Sequence, residues 1–239
     1  SGIADLCRET DTNLLCFVGG AINSPYMYEK QRNKLYDLIS EKNVDGVIVL
    51  TSAISHYVGD SEMQRFFSRY RSFPCVSIAT VIEGIPSIVV NNESGMRDLI
   101  GHLIHIHHYK RFAYIGGPKD NTDARQRFNI FSDILASYQL TLDPELIIQG
   151  DFSMLTGQSA VYTFLDNRKR TFDVVVAAND EMAVGAIAAL RDRGYRVPED
   201  IAVVGFDDIE INKSIPPPLT TVRQPLYHQG RTAAQTLLQ

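Results

Sequence analysis

Nine short apolar runs recur along this chain, most of them separated by helical patterns, and that alternation restricts the fold more than any other feature. The runs cover residues 13–18, 44–50, 75–79, 87–90, 112–115, 146–149, 174–178, 202–206 and 220–222. Helix-period stretches lie at 29–41, 93–107, 124–138 and 181–193. A strand that is apolar at nearly every position must be covered on both faces, and parallel strands need a crossover between them. The pattern therefore predicts an α/β protein built on parallel, Rossmann-like sheets. Two such sets follow one another without a low-complexity linker, which predicts two subdomains joined by short crossings.

Composition narrows the class. The chain has 239 residues and a net charge of -5, so it lacks the basic excess of a nucleic-acid-binding surface. No apolar run reaches the length of a membrane span, and no signal-peptide pattern opens the chain. The three cysteines, Cys7, Cys16 and Cys75, form no CxxC pair. Cys16 and Cys75 fall in apolar, strand-like runs, which predicts buried reduced thiols and a cytoplasmic protein.

In open parallel sheets, ligands sit beyond the carboxyl ends of the strands. The stretch VVVAANDEMAVGAIAALRDRG places Asn179 and Asp180 at such an end. One Asx residue there can cap the following helix, and a single cap does not need two. Capping alone is an open reading for Asp180, whose charge favours the positive helix end, and accounts less well for Asn179. A second polar end, Asp207-Asp208, closes the strand AVVGF. In DARQRFNIFSDIL, residues Ala124, Phe128, Phe131, Leu135 and Tyr138 form one helical stripe. Arg127 falls within about 50° of its centre, whereas Arg125 lies on its flank. A guanidinium on a buried face needs a partner, either a structural carboxylate or a ligand.

Other chemistries lack a constellation. His102, His105, His107 and His108 cluster in HLIHIHHYKR, but no carboxylate or cysteine motif completes a zinc site, so no metal is expected. The pairs VGG and IGGP do not make GxGxxG, and neither a phosphate-binding GxxxxGK[ST] loop nor a GxSxG elbow is present. Adjacent Asp207 and Asp208 make a poor acid–base dyad. No enzyme and no cofactor are expected.

Three stretches, RFAYIGGPKDNTDARQRF, VVVAANDEMAVGAIAALRDRGYRVPEDIAVVGFDDIE and PPLTTVRQPLYHQGRTAAQTLL, together resemble the effector-binding core of LacI/GalR-type transcriptional regulators. The resemblance covers most of residues 87–239; NKLYDLISEKNVDGVIVL fits it less distinctively. It implies a periplasmic-binding-protein-like fold of type I, with a ligand cleft between two subdomains. Residues 1–91 plus 223–239 would form the N-terminal subdomain and 92–222 the C-terminal one. Arg127, Asn179 and Asp207 correspond to residues that hold ligand hydroxyls or a carboxylate. Gln224 resembles a polar residue at a crossover, and Phe152 an aromatic that packs on the ligand. Ser52 and Thr80 are strand-end candidates from the first subdomain. A guanidinium, an amide and a carboxylate can bind vicinal hydroxyls, which suits a sugar, sugar acid or nucleoside-like effector.

The opening SGIADLCRETDTNLL resembles the tail of the family's first helix leading into its second strand. The first strand is therefore expected to be missing, and the chain to be a piece of a longer protein that meets DNA only through a domain outside these residues. Effector binding would rotate the subdomains about their crossings, in a homodimer using the 29–41 region. Residues 51–100 also resemble LacI-type sensing modules fused to histidine kinases or diguanylate cyclases. That leaves a signalling output as the alternative to a transcription regulator.

Overall fold

The computed structural model describes residues 1–239. The chain divides into two compact units, one of residues 1–90 with 225–239 and one of residues 91–224.

The first unit holds a parallel sheet in the order β1-β2-β3, with β1 at Val47–Leu50, β2 at Cys75–Ile78 and β3 at Ser87–Ile88. Alternation along β2 sends its side chains to opposite faces. Val76 and Ile78 pack with Ala233 and Leu237. Cys75 faces the other way, into an aromatic cluster of Tyr36, Phe66, Phe67 and Tyr70. Helix α1 (Gly2–Glu9) lies against the last helix of the chain, α9 (Leu226–Leu237). Arg231 holds Glu9 there through two bonds of 2.9 and 2.6 Å. Three shorter helices complete the unit: α2 (Met27–Arg32), α3 (Thr51–Ile54) and α4 (Asp60–Ser68).

Three sequence expectations fail in this unit. Residues 13–18 form no strand, and Leu14, Leu15 and Val18 are each more than half exposed. An apolar run becomes a strand only where a neighbour takes its backbone hydrogen bonds, and this run has none. Cys16 lies in the same segment and is exposed, while Cys7 and Cys75 are buried. The helix expected at 29–41 is α2 followed by a 3-10 stretch at Asn33–Leu38.

The second unit is built on a five-stranded parallel sheet in the order β5-β4-β6-β7-β8. Its strands are β4 (Phe112–Gly116), β5 (Ile147–Gln149), β6 (Val174–Ala177), β7 (Ala202–Asp207) and β8 (Thr220–Arg223). Strands β4 and β6 are buried at every position, as all-apolar parallel strands must be. Four helices cover the sheet: α5 (Asn92–His105), α6 (Thr122–Ser137), α7 (Met154–Tyr162) and α8 (Asp180–Asp192). Helices α7 and α8 touch through backbone. A Cβ on Gly157 would stand 2.0 Å from the Met182 carbonyl oxygen, and one on Gly185 1.9 Å from that of Met154. No helix of the protein is long and apolar enough to cross a membrane. The α/β class with parallel sheets is as the sequence predicts.

Candidate functional site

The strand order places a topological switch between β4 and β6, neighbours in the sheet that are separated in sequence by all of β5. The chain leaves β4 toward β5 on one side and returns to β6 on the other. The loops beyond such a switch diverge and leave a crevice at the carboxyl ends of the strands. The residues that the sequence singles out in the second unit gather there.

Arg127 comes from the second turn of α6 and is only 3% exposed. Its Nε donates to Asn92 Oδ1 at 3.1 Å and its Nη1 to the Ala178 carbonyl, just past β6, at 2.7 Å. The guanidinium lies 3.7 Å from the centre of the Phe206 ring, a close cation–π contact. Nη1 also approaches Asp207 Oδ1 to 3.7 Å, close enough for an ion pair but not for a hydrogen bond. Nη2 makes no hydrogen bond within the protein.

Asp207 ends β7, and its side chain receives the Gln224 Nε2 amide on Oδ1. Burial raises its carboxyl pKa to about 6, with the Asp180 and Asp123 carboxylates adding to the rise. Arg127 and the Gln224 bond oppose that shift. Burial likewise lowers the Arg127 pKa, against the pull of Asp207 and Asp123. The cost of taking both charges out of water therefore outweighs their attraction across 3.7 Å.

The helix cap falls to Asn179 and not to Asp180, where the sequence reading puts it. Asn179 is the N-cap of α8: its Oδ1 accepts from the Met182 amide at 3.0 Å, and its Nδ2 donates to the Phe152 carbonyl at 3.0 Å. Asp180, the first helical residue, is fully buried and turned toward β7 and β8. The physical reason is order along the chain. The cap must precede the first helical residue, and here the helix begins at Asp180. Asn179 keeps one amide hydrogen free.

Phe152 follows β5 with φ 70° and rests against Gly117, where a Cβ would meet its ring at 2.3 Å. Asp207 and Asp208 also have positive φ, at 128° and 60°. Such backbone costs on the order of 1–3 kcal/mol per non-glycine residue and concentrates where ligands are held. Ala79, just beyond β2 in the first unit, shares this conformation at φ 74°. Ser52 lies in α3 directly after β1, and Thr80 follows Ala79, its carbonyl accepting from Ser77 Oγ at 2.6 Å.

Sequence reasoning missed Asn92 and the pair Thr51–Ser77. Asn92 is 3% exposed, and it joins Arg127 to Asp123 and Gln126 through bonds of 3.1, 2.8 and 3.0 Å. The signal was available in NNES, because Asn91 alone caps α5 and a second asparagine is surplus to capping. Thr51 and Ser77 are fully buried and share a 2.6 Å bond at the ends of β1 and β2. Two cavities lie away from these strand ends. One of about 450 Å3 is lined by Tyr70, Pro74 and Cys75 in the first unit. One of about 280 Å3 is lined by Arg111, Leu146 and Thr171 in the second. Both border the amino ends of strands, and neither contains a residue of the site.

A guanidinium and a carboxylate thus meet at the carboxyl ends of a parallel sheet, the place where open α/β sheets hold ligands. The family model for the periplasmic binding protein-like domain matches residues 100–239. The HTH-type transcriptional repressor PurR of Vibrio atlanticus strain LGP32 is 32% identical over 241 residues, covering 100% of this chain and 68% of that protein. The crystal structure of a LacI family transcriptional regulator from Mycobacterium smegmatis superposes with a TM-score of 0.83 at 27% identity, covering 99% of this chain and 82% of the other. The transcriptional regulator CelR in its cellobiose complex superposes at 0.81 and 28% identity, covering 99% and 69%. The chain belongs to the LacI family of transcriptional regulators and contains its effector-binding, periplasmic-binding-protein-like domain. The kinase or cyclase alternative finds no support among these relatives.

Proposed function

We propose that this chain senses a neutral, hydroxyl-rich small molecule, a sugar or a nucleoside, for a transcriptional regulator. The observation that carries this reading is the Arg127–Asp207 pair at the strand ends, a buried guanidinium and a partly buried carboxylate 3.7 Å apart. The pair is balanced, so a ligand charge would be left without a counter-ion. Arg127 Nη2 and Asp207 Oδ2 have no hydrogen bond within the protein, and a donor beside an acceptor suits vicinal hydroxyls. Gln224 and the free amide hydrogen of Asn179 add polar contacts, and Phe152 supplies an apolar face for a ring. Ser52 and Thr80 are further candidates at strand ends of the first unit. The cellobiose carried by CelR agrees with a hydroxyl-bearing ligand.

In this reading the protein is not an enzyme. It works in the cytoplasm as a homodimer and meets DNA through a segment outside these residues. Thermal melting against neutral sugars, sugar acids and nucleosides tests the proposal. A ligand at 100 times its Kd adds about 2.7 kcal/mol to stability, enough for a clear rise in Tm. A rise with a neutral sugar or nucleoside, lost in Arg127→Ala, is expected. Rises confined to anionic compounds would overturn the neutral-ligand reading.

A further inference from the structure

Asp180 is fully buried and forms no ion pair, yet its carboxylate takes three hydrogen bonds from two separate segments, the turn after β7 and the start of β8. Oδ2 accepts from the Ile209 backbone amide at 3.0 Å and from Asn212 Nδ2 at 2.6 Å. Oδ1 accepts from Thr221 Oγ1 at 2.5 Å. The same oxygen lies against β7, where a Cβ on Gly205 would stand 2.2 Å away. Asn212 leaves its own buried Oδ1 without a partner while its amide nitrogen serves Asp180. An unsatisfied buried acceptor costs about 1–3 kcal/mol, so this arrangement favours the bond to the carboxylate.

The positions of these donors are informative. Ile209 is two residues beyond Asp207, and Thr221 is three residues before Gln224. Asp207 and Asp208, just before Ile209, are two consecutive non-glycine residues at positive φ, a conformation that persists only where surrounding contacts over-determine it. We propose that Asp180 is a positioning residue: it pins the turn after β7 and the start of β8, so that the Asp207 carboxylate and the Gln224 amide meet. A neutral helix-start residue could cap or pack, but it could not accept from all three donors at once. The functional weight of the proposal rests on Asp207 and Gln224 as effector contacts. Its test uses no effector, so the two readings can fail separately.

The experiment is NMR on the ligand-free chain, comparing wild type with Asp180→Asn and Thr221→Val. The readouts are amide exchange at Ile209 and Gln224 and the titration of the Asp207 carboxyl. In Asp180→Asn, both amides are expected to exchange at least tenfold faster, while those of β4 and β6 keep their protection. The groups facing Asp207 are Arg127, Asp123, Asp180 and Gln224, and removing one of these carboxylates lowers its titration midpoint. Thr221→Val keeps the charge and is expected to speed exchange with a smaller change in midpoint. A folded Asp180→Asn protein with unchanged exchange and midpoint would overturn the proposal. If that variant fails to fold, unchanged protection of both amides in Thr221→Val overturns it.

Discussion

Arg127 and Asp207 stop 3.7 Å apart because each is already held elsewhere. Arg127 gives its Nε to Asn92 and its Nη1 to the Ala178 carbonyl, and Asp207 takes the Gln224 amide. The pair is thus fixed in place by the protein rather than by mutual attraction, which leaves open hydrogen-bonding capacity on both sides.

Replacing Arg127 by Lys keeps the charge but loses the planar fork and the stacking on Phe206. Hydrogen bonds to charged groups contribute about 1.5–3 kcal/mol, so effector affinity is expected to fall roughly 10- to 100-fold. Calorimetry with whichever ligand raises the wild-type Tm measures this, and unchanged affinity would remove Arg127 from the site.

Stability should depend on pH through Asp207. Its folded pKa of about 6 lies above the ordinary carboxylate value. Its contribution is therefore fully present below about pH 4 and is lost as pH rises through about 6. Urea unfolding of wild type and Asp207→Asn from pH 4 to 7 isolates the effect. The stability of wild type relative to the variant is expected to fall by about 3 kcal/mol across that range. A constant difference would place Asp207 in an ordinary, hydrated setting.

Asn179→Ala removes the α8 cap and the tether to Phe152 together. The expected loss is about 1–2 kcal/mol of stability. Asn179→Ser should keep most of that stability, since a serine also caps, yet lose the Phe152 tether. Comparing the two by denaturant unfolding and ligand titration separates helix capping from a role in holding the site.

Gly185→Ala is expected to be strongly destabilising, because the added methyl would meet the Met154 carbonyl oxygen at 1.9 Å and backbone cannot yield as a side chain can. Overpacking of this kind costs about 1–3 kcal/mol or more. A denaturation midpoint equal to wild type would show that α7 and α8 can part without cost.

Of the three thiols, Cys16 should react first and fast with a disulfide reagent under native conditions, with Cys7 and Cys75 following only on unfolding. Burial also raises the Cys75 pKa, which further reduces its thiolate. Equal rates at all three positions would contradict the burial described.

The second unit was the more legible from sequence, and the reason is physical. Runs such as 174–178 are apolar throughout, so burial between two helical layers is their only stable fate. The run at 13–18 looks equally strand-like but has no neighbour to pair with, and pairing is not written in the run itself. Arg127 could be found because a charge on an apolar stripe is conspicuous. Asn92 escaped notice because it sits beside a true cap. The capping role expected of Asp180 failed on a single-residue question, where the helix begins. At both helix starts the first Asx residue caps, and the second turns inward.

The sheet order has a consequence for the chain as it is made. Asn92, Arg127, Ala178, Asp207 and Gln224 meet in one network although they span most of the second unit's sequence. Contacts so distant along the chain form only after the intervening strands have found their neighbours. On a ribosome, this network cannot close, nor the effector proposed for it be held, until Gln224 has emerged and β8 has docked. Occupancy of the site would therefore report a finished domain as well as a metabolite.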